Sequence, residues 1–90
     1  MTLKVELVAA DRKVWSGEAA RVKATTTDGD IGILTGHAPL LGVLVAGEIR
    51  ISGEGADVVA TVDGGGFLSV DHDVVTIIAE TASVGAENAR

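Results

Sequence analysis

Apolar and polar residues alternate with a period of two along most of the chain. The alternation is clearest over residues 3–9 and 20–26, where charged side chains stand between many of the apolar ones. Because successive side chains of a strand point to opposite faces, each segment is expected to form a half-buried strand. Turn-forming residues separate such segments roughly every 8–10 positions, a spacing typical of sandwiches and barrels. The pattern therefore predicts an all-β fold.

Further strands are expected between clear turn signals. The signals include the Asp28-Gly29 hairpin pair, the Asp71-His72-Asp73 turn and a glycine-containing turn at residues 53–55. The expected strands cover residues 13–15 (ending at Ser16-Gly17), 31–34, 40–45, 49–51, 57–63, 67–70 and 74–79. Only residues 81–90 carry a helix-start signal, in which Ser83 would cap the first turn while Gly85 weakens the helix.

Composition favours closely packed sheets over a ligand-binding cavity. Hydrophobic residues make up 47% of the 90 residues, and Trp15 and Phe67 are the only aromatic ones. Small branched side chains fill a sheet core well but do not shape a pocket for a large flat ligand. We therefore expect a single compact domain without a cofactor or a small-molecule substrate.

The charge distribution argues against nucleic acid as a partner. The net charge is −6, and residues 28–90 carry ten acidic but only two basic side chains. An acidic chain without a basic stripe binds nucleic acid poorly. The sequence has no cysteine, no signal-peptide-like start and no apolar run of the ~20 residues that a bilayer requires. A soluble domain facing the cytosol, without lipid insertion, is expected.

The two histidines do not form a recognisable metal motif. The spacing of His37 and His72 matches no structural zinc pattern, even if Asp30, Asp71 and Asp73 are considered as further ligands. Isolated histidines beside turn formers are typical of turns and surfaces. No metal site is predicted.

Serine and glycine residues likewise give no catalytic motif. No Gly-x-Ser-x-Gly segment marks a nucleophile. The glycine run at residues 64–66 is not followed by the Gly-Lys-Ser/Thr of a phosphate loop. Between two strands, three glycines indicate a bulge or a close approach of two backbones.

Two segments indicate a protein partner. Residues 40–45 and 74–79 are apolar at both even and odd positions, so both faces of each strand need cover. Either these strands are central and strongly curved, or a partner protein packs on their outer face. Residues 28–41, which contain the only proline, are expected to form a fixed loop that offers a second contact. The residues thus favour an interaction module.

Residues 29–41 resemble a family signature. They read Gly-Asp-Ile-Gly-Ile-Leu-Thr-Gly-His-Ala-Pro-Leu-Leu and are similar to the Gly-Glu-(Ile/Leu)-Gly-Ile…Gly-His-Ala-Pro-Leu-Leu of the epsilon subunit of bacterial F-type ATP synthases. Residues 14–19, 47–51, 63–70 and 78–82 resemble four further family motifs in the same order. One departure is Leu34-Thr35-Gly36-His37, where many members have Tyr-Pro-Gly-His.

The resemblance implies both fold and function. The expected fold is a ten-stranded β-sandwich over residues 1–82, followed by a tail at residues 83–90 with at most a residual helical turn. The expected function is that of a non-catalytic central-stalk subunit at the cytoplasmic side of the cell membrane. Such a subunit binds the gamma subunit, rests on the c-ring and couples proton-driven rotation to ATP synthesis.

The resemblance also implies particular contacts. By position, Asp30, Ile31 and His37 contact the c-ring, and Leu41, Glu48, Thr76 and Ile77 contact gamma. Most members of the family continue into a C-terminal helical hairpin, of which residues 87–90 resemble only the opening. Inhibition of ATP hydrolysis by a hairpin, and nucleotide sensing, are therefore not expected.

Two alternatives from other functional classes remain open. A lipoyl or biotinyl carrier domain would present one lysine at a hairpin tip, but Lys4 and Lys23 fall within predicted strands and Lys13 lacks the flanking residues of such a site. An enzyme that uses His37 and Asp30 would require activity from the isolated domain.

Overall fold

Strands account for most of the chain. The computed structural model describes residues 2–53 and 57–86. This part contains eight strands and no helix: β1 (Leu3–Ala9), β2 (Arg12–Ala19), β3 (Arg21–Thr26), β4 (Gly29–Leu34), β5 (Leu40–Leu44), β6 (Gly47–Ser52), β7 (Asp57–Asp71) and β8 (Val74–Ala86). The predicted all-β fold is confirmed.

The eight strands form one continuous sheet that folds over itself into two layers. Layer one contains β2, β1, the first half of β8, the second half of β7, and β5. Layer two contains the second half of β8, the first half of β7, β6, β3 and β4. The long hairpin of β7 and β8 thus runs through both layers. On the other side of the sandwich, Thr26 and Leu44 pair and join β3 to β5.

A bulge marks the place where β7 and β8 pass from one layer to the other. The register shifts between Asp63 and Gly66, and both Gly64 and Gly65 have positive φ angles. The interpretation of residues 64–66 as a bulge or close backbone approach is therefore confirmed. If β7 and β8 are each divided at this bulge, the eight strands become the ten segments that were expected.

The core lies between the two layers and is built from the inward positions of the alternating pattern. In β1 the alternation predicted for residues 3–9 is observed, with Leu3, Val5 and Leu7 fully buried. Burying one such aliphatic side chain contributes roughly 1.5–3 kcal/mol. The other fully buried large side chains are Val22, Ile33, Ile49, Ile51, Leu68, Val70, Val75 and Ile77.

Strand β2 extends further than its sequence predicts. It continues through Ser16 and Gly17, which pair with Glu6 and Val5 of β1, so the strand end expected there was wrong. A Cβ at Gly17 would lie 2.9 Å from the Trp15 ring. The glycine therefore gives space to the indole ring and does not turn the chain.

The C-terminal helix start at Ser83 is replaced by strand. Ser83 pairs with Thr61, because residues 81–86 continue β8 and supply hydrogen-bond partners to the first half of β7. We therefore propose that the boundary between sandwich and tail, predicted at residues 82/83, follows β8. The opening of a hairpin at residues 87–90 and most of the turn at 53–55 lie outside the described residues.

Candidate interaction surface

An exposed apolar surface covers the outer side of layer one. Cross-strand register places Val43 of β5 beside Phe67 of β7, Phe67 beside Ile78 of β8, and Ile78 beside Val8 of β1. Because register partners share one face of a sheet, the four side chains form a row across four strands. We call this row, together with Leu41 and Val74 on the same side, the apolar face.

The apolar face is unusually open to solvent for side chains of this kind. The exposed fractions are 72% for Leu41, 46% for Val43, 53% for Phe67, 39% for Val74 and 47% for Ile78. Isolated exposed aliphatic residues are common in proteins, but a contiguous group on one sheet face indicates an interaction site.

Charged side chains border the apolar face on its β1–β2 side. Lys13 continues the apolar row as the register partner of Val8, and its Nζ lies 3.5 Å from Oε1 of Glu6, two residues before Val8 on β1. The border also contains Lys4 and Glu18, which are exposed register partners. An apolar centre with a polar border has the composition of a protein–protein interface.

The loop that contains His37 is fastened to the β7–β8 turn. The Gly36 N–H donates to Asp73 Oδ1 at 2.8 Å, and the His37 N–H donates to the Leu34 carbonyl at 3.1 Å. Gly36 has a φ of 85°, which favours glycine at this position. The Asp73 carbonyl also accepts the Lys4 N–H at 2.8 Å. One aspartate thus ties β1, the β7–β8 turn and the loop together.

The side chain of His37 is half-buried and makes a local hydrogen bond. Its Nδ1 lies 2.7 Å from the carbonyl oxygen of Ala38, an arrangement in which Nδ1 carries the proton and donates. His37 borders an open cleft of about 410 Å³ together with Pro39, Asp71 and His72. The cleft lies at the end of the sandwich where β5 and β8 begin.

Asp30 lies at the opposite end of β4 from His37. Its Oδ1 accepts a hydrogen bond from Thr25 Oγ1 at 2.9 Å. Leu34 lies four residues after Asp30 along β4, at about 3.3 Å per residue, and the His37 loop begins after it. Asp30 lines a polar cleft on the outside of layer two with Lys23, Thr25, Glu48 and Arg50.

The structure groups the seven predicted contact residues differently from the sequence-based assignment. Leu41 and Thr76 lie on the outer side of layer one, where both are register partners of Ser69. Glu48 lies on layer two in the cleft of Asp30. Ile31 is half-buried against the core. The division of these residues between gamma and c-ring stays a prediction.

Ile77 requires a correction. Its side chain is fully buried in the core, because odd-numbered residues of β8 face inward over residues 75–79. A fully buried side chain cannot touch a partner, whereas its neighbour Ile78 is nearly half exposed. Of these two neighbours, only Ile78 presents its side chain to a partner.

Five residues of the apolar face were not among the predicted contacts, namely Val8, Val43, Phe67, Val74 and Ile78. The available signal was the apolar character of residues 40–45 and 74–79 at both even and odd positions. That signal identified the strands but not the outward residues, because both faces looked alike. The lone phenylalanine beside the glycine run was a further signal.

Two absences concern the described residues only. Within residues 2–53 and 57–86 no group of three or more His, Asp or Glu residues is arranged to hold a metal ion. No helix in the same ranges is long and apolar enough to cross a membrane.

Comparison with known proteins identifies the family. The model of the ATP synthase delta/epsilon chain β-sandwich domain matches residues 2–85. The chain belongs to this family. It is 55% identical over 86 residues to the ATP synthase epsilon chain of Streptomyces griseus, covering 94% of this chain and 68% of the relative. It is 49% identical over 85 residues to that of Frankia casuarinae, covering 93% of this chain and 99% of the relative.

A solved structure supports the same fold. The chain superposes with a TM-score of 0.84 on a subunit in the cryo-EM structure of the Euglena gracilis mitochondrial ATP synthase, OSCP/F1/c-ring in rotational state 1. The sequence identity is 24%, and the match covers 92% of this chain but only 53% of the Euglena chain. This likeness extends the fold assignment beyond close relatives.

Family membership decides between the functional classes. As an ATP synthase delta/epsilon-type chain, this protein is a non-catalytic subunit of the proton-transporting complex, in the part that is peripheral to the membrane. The comparisons do not support a lipoyl or biotinyl carrier. The exposed lysines agree with this conclusion, since Lys4, Lys13 and Lys23 all lie within strands.

Proposed function

We propose that the chain connects the gamma subunit to the c-ring in the central stalk and transmits rotation between them. The observation that carries the proposal is the apolar face of layer one, whose contiguous exposed side chains are typical of a protein–protein interaction site. In this arrangement gamma covers the apolar face, and the end of the sandwich near Asp30 rests on the c-ring at the cytoplasmic side of the membrane.

Covering the apolar face supplies a substantial part of the free energy of binding. Full burial of one large apolar side chain contributes roughly 1.5–3 kcal/mol, and the five exposed side chains of the face are already about half buried. Covering them therefore contributes roughly 4–8 kcal/mol, which is comparable with the estimated 4–15 kcal/mol cost of association. Further contacts at the polar border are expected to add to the stability of the complex.

The grouping of polar residues supports a revised assignment of the other contacts. Glu48 shares a cleft with Asp30, so we assign both carboxylates to the c-ring side. His37 and Asp71 line the same cleft at the opposite end of the sandwich. Asp71 lies on the outer side of layer one, because its register partner Val74 is part of the apolar face. We therefore assign His37 to the border of the gamma interface.

Reconstitution tests this proposal. ATP synthase of the same organism, depleted of its epsilon chain, is expected to regain ATP synthesis driven by an imposed proton gradient when this chain is added. An Asp30→Lys variant is expected to bind gamma normally but to restore severalfold less synthesis, because the reversed charge faces the c-ring.

An Asp57→Lys variant is the matched control. Asp57 is an exposed carboxylate at the start of β7, on the outside of layer two. Its replacement by lysine changes the charge by the same amount as Asp30→Lys. It is expected to restore synthesis like the unmodified chain. Failure of the chain to restore synthesis would contradict the proposal, and equal losses in both variants would contradict the role of Asp30.

A further inference from the structure

The glycine bulge leads directly into Phe67, the one aromatic residue of the apolar face. Gly64 and Gly65 together oppose Glu80, and Gly66 lies so close to β8 that a Cβ would overlap the Ile78 carbonyl oxygen. The backbone immediately before Phe67 is therefore packed directly against the backbone of β8. A local hydrogen bond also supports the bulge, in which the Gly64 N–H donates to Asp63 Oδ1 at 2.8 Å.

Phe67 occupies the centre of the apolar row. It is the only phenylalanine in the chain, yet about half of its surface is exposed. Its register partners on either side are Val43 and Ile78, both exposed as well. The row spans four strands and therefore measures about 14 Å from β5 to β1.

The location of the row excludes one mode of docking. Strands β7, β8 and β1 are each hydrogen-bonded on both sides where the row crosses them. A partner therefore cannot add a strand at this place and must bind through side chains. Interfaces of that kind concentrate their binding energy in a few aromatic or large side chains near the centre.

We propose that Phe67 is the anchor of the gamma interface, and that its ring enters an apolar pocket of the partner while Val43 and Ile78 contact the walls of that pocket. This inference rests on the proposed gamma binding. A phenyl ring contributes a large contact area and has only two side-chain torsions to fix, so an anchor held by a rigid bulge loses little entropy on binding.

The charged border defines the partner further. The Glu6–Lys13 pair and Glu80 surround the row on the β1 side and beyond Ile78. The complementary surface therefore has a concave apolar centre with polar groups around it. The border excludes water from the anchor without supplying most of the affinity.

Equilibrium binding of the full chain to purified gamma subunit tests the anchor. Phe67→Ala is expected to raise the Kd by about 30-fold or more, the loss that marks a hot spot. Phe67→Leu, which keeps an apolar side chain, is expected to lose much less. Val59→Ala is the control, since Val59 lies on the same strand but on the outer side of layer two as the register partner of Arg50. It is expected to leave the Kd unchanged, and thermal unfolding of each variant verifies folding.

The outcomes separate the anchor from the proposed function. A Kd change below about tenfold for Phe67→Ala, with the unmodified chain bound to gamma, would overturn the anchor and leave gamma binding intact. Equal losses for Phe67→Ala and Val59→Ala would also overturn it. Absence of binding by the unmodified chain would overturn the proposed function itself.

Discussion

An Ile78→Asp variant is expected to fold and to lose gamma binding, whereas an Ile77→Asp variant is expected not to fold. The two residues are neighbours on β8, but Ile77 is fully buried and Ile78 is 47% exposed. A carboxylate at position 77 would be buried among aliphatic side chains without a partner, at a cost of several kcal/mol, comparable with the total stability of a small domain. At position 78 the same carboxylate stays in water until gamma covers it.

Circular dichroism during thermal unfolding and a pull-down with gamma measure both effects. Ser83→Asp is the control, because Ser83 lies on the same strand, is exposed, and is the register partner of Thr61 on the outer side of layer two. It is expected to fold and to bind gamma. Unchanged gamma binding by Ile78→Asp would refute the assignment of the apolar face.

A Gly66→Ala variant is expected to lose several kcal/mol of stability or to fail to fold. The added Cβ would overlap the carbonyl oxygen of Ile78 and lie 2.8 Å from Ala79 Cα. Both are backbone atoms of the paired strand, so relief requires the β7–β8 ladder to separate at the bulge. Large losses of this kind are typical of overpacking against an immobile backbone.

Gly85→Ala provides the control in the same hairpin. Gly85 pairs with Val59, and nothing lies within 4 Å of the position that its Cβ would occupy. The free energy of unfolding, measured in urea, is expected to stay the same or to rise slightly, because alanine restricts the unfolded chain. Equal destabilisation by both substitutions would show that the close approach at Gly66 has no energetic significance.

The sequence predicted most of the fold because its alternation is regular where one face is solvated. Residues 3–9 are the clearest case, since lysine and glutamate stand between residues that are buried in β1. The sequence pattern was less informative at glycines, because a glycine can either end a strand or give space to a neighbouring side chain. Gly17 was interpreted as a strand end, but it accommodates the Trp15 ring within β2.

The interaction surface was less predictable for a physical reason. In residues 74–79 both faces are largely apolar, one to fill the core and the other to face solvent or a partner. Local pattern cannot distinguish the two faces, since that choice depends on which side meets the second layer. A similar limit applied to Asp30 and His37, which the sequence assigned to one contact because they belong to one motif. In the structure β4 runs between them and places them at opposite ends of the strand.

The central claim is that gamma covers the apolar face of layer one and leaves the outer side of layer two free. The chain contains no cysteine, so a single introduced thiol reports on one position only. The measurement is the rate of maleimide labelling of Val43→Cys and Thr61→Cys variants, with and without saturating gamma subunit. Gamma is expected to slow labelling at position 43 by about tenfold or more and to leave position 61 unchanged. Unchanged labelling at position 43, or protection at position 61 instead, would contradict the account.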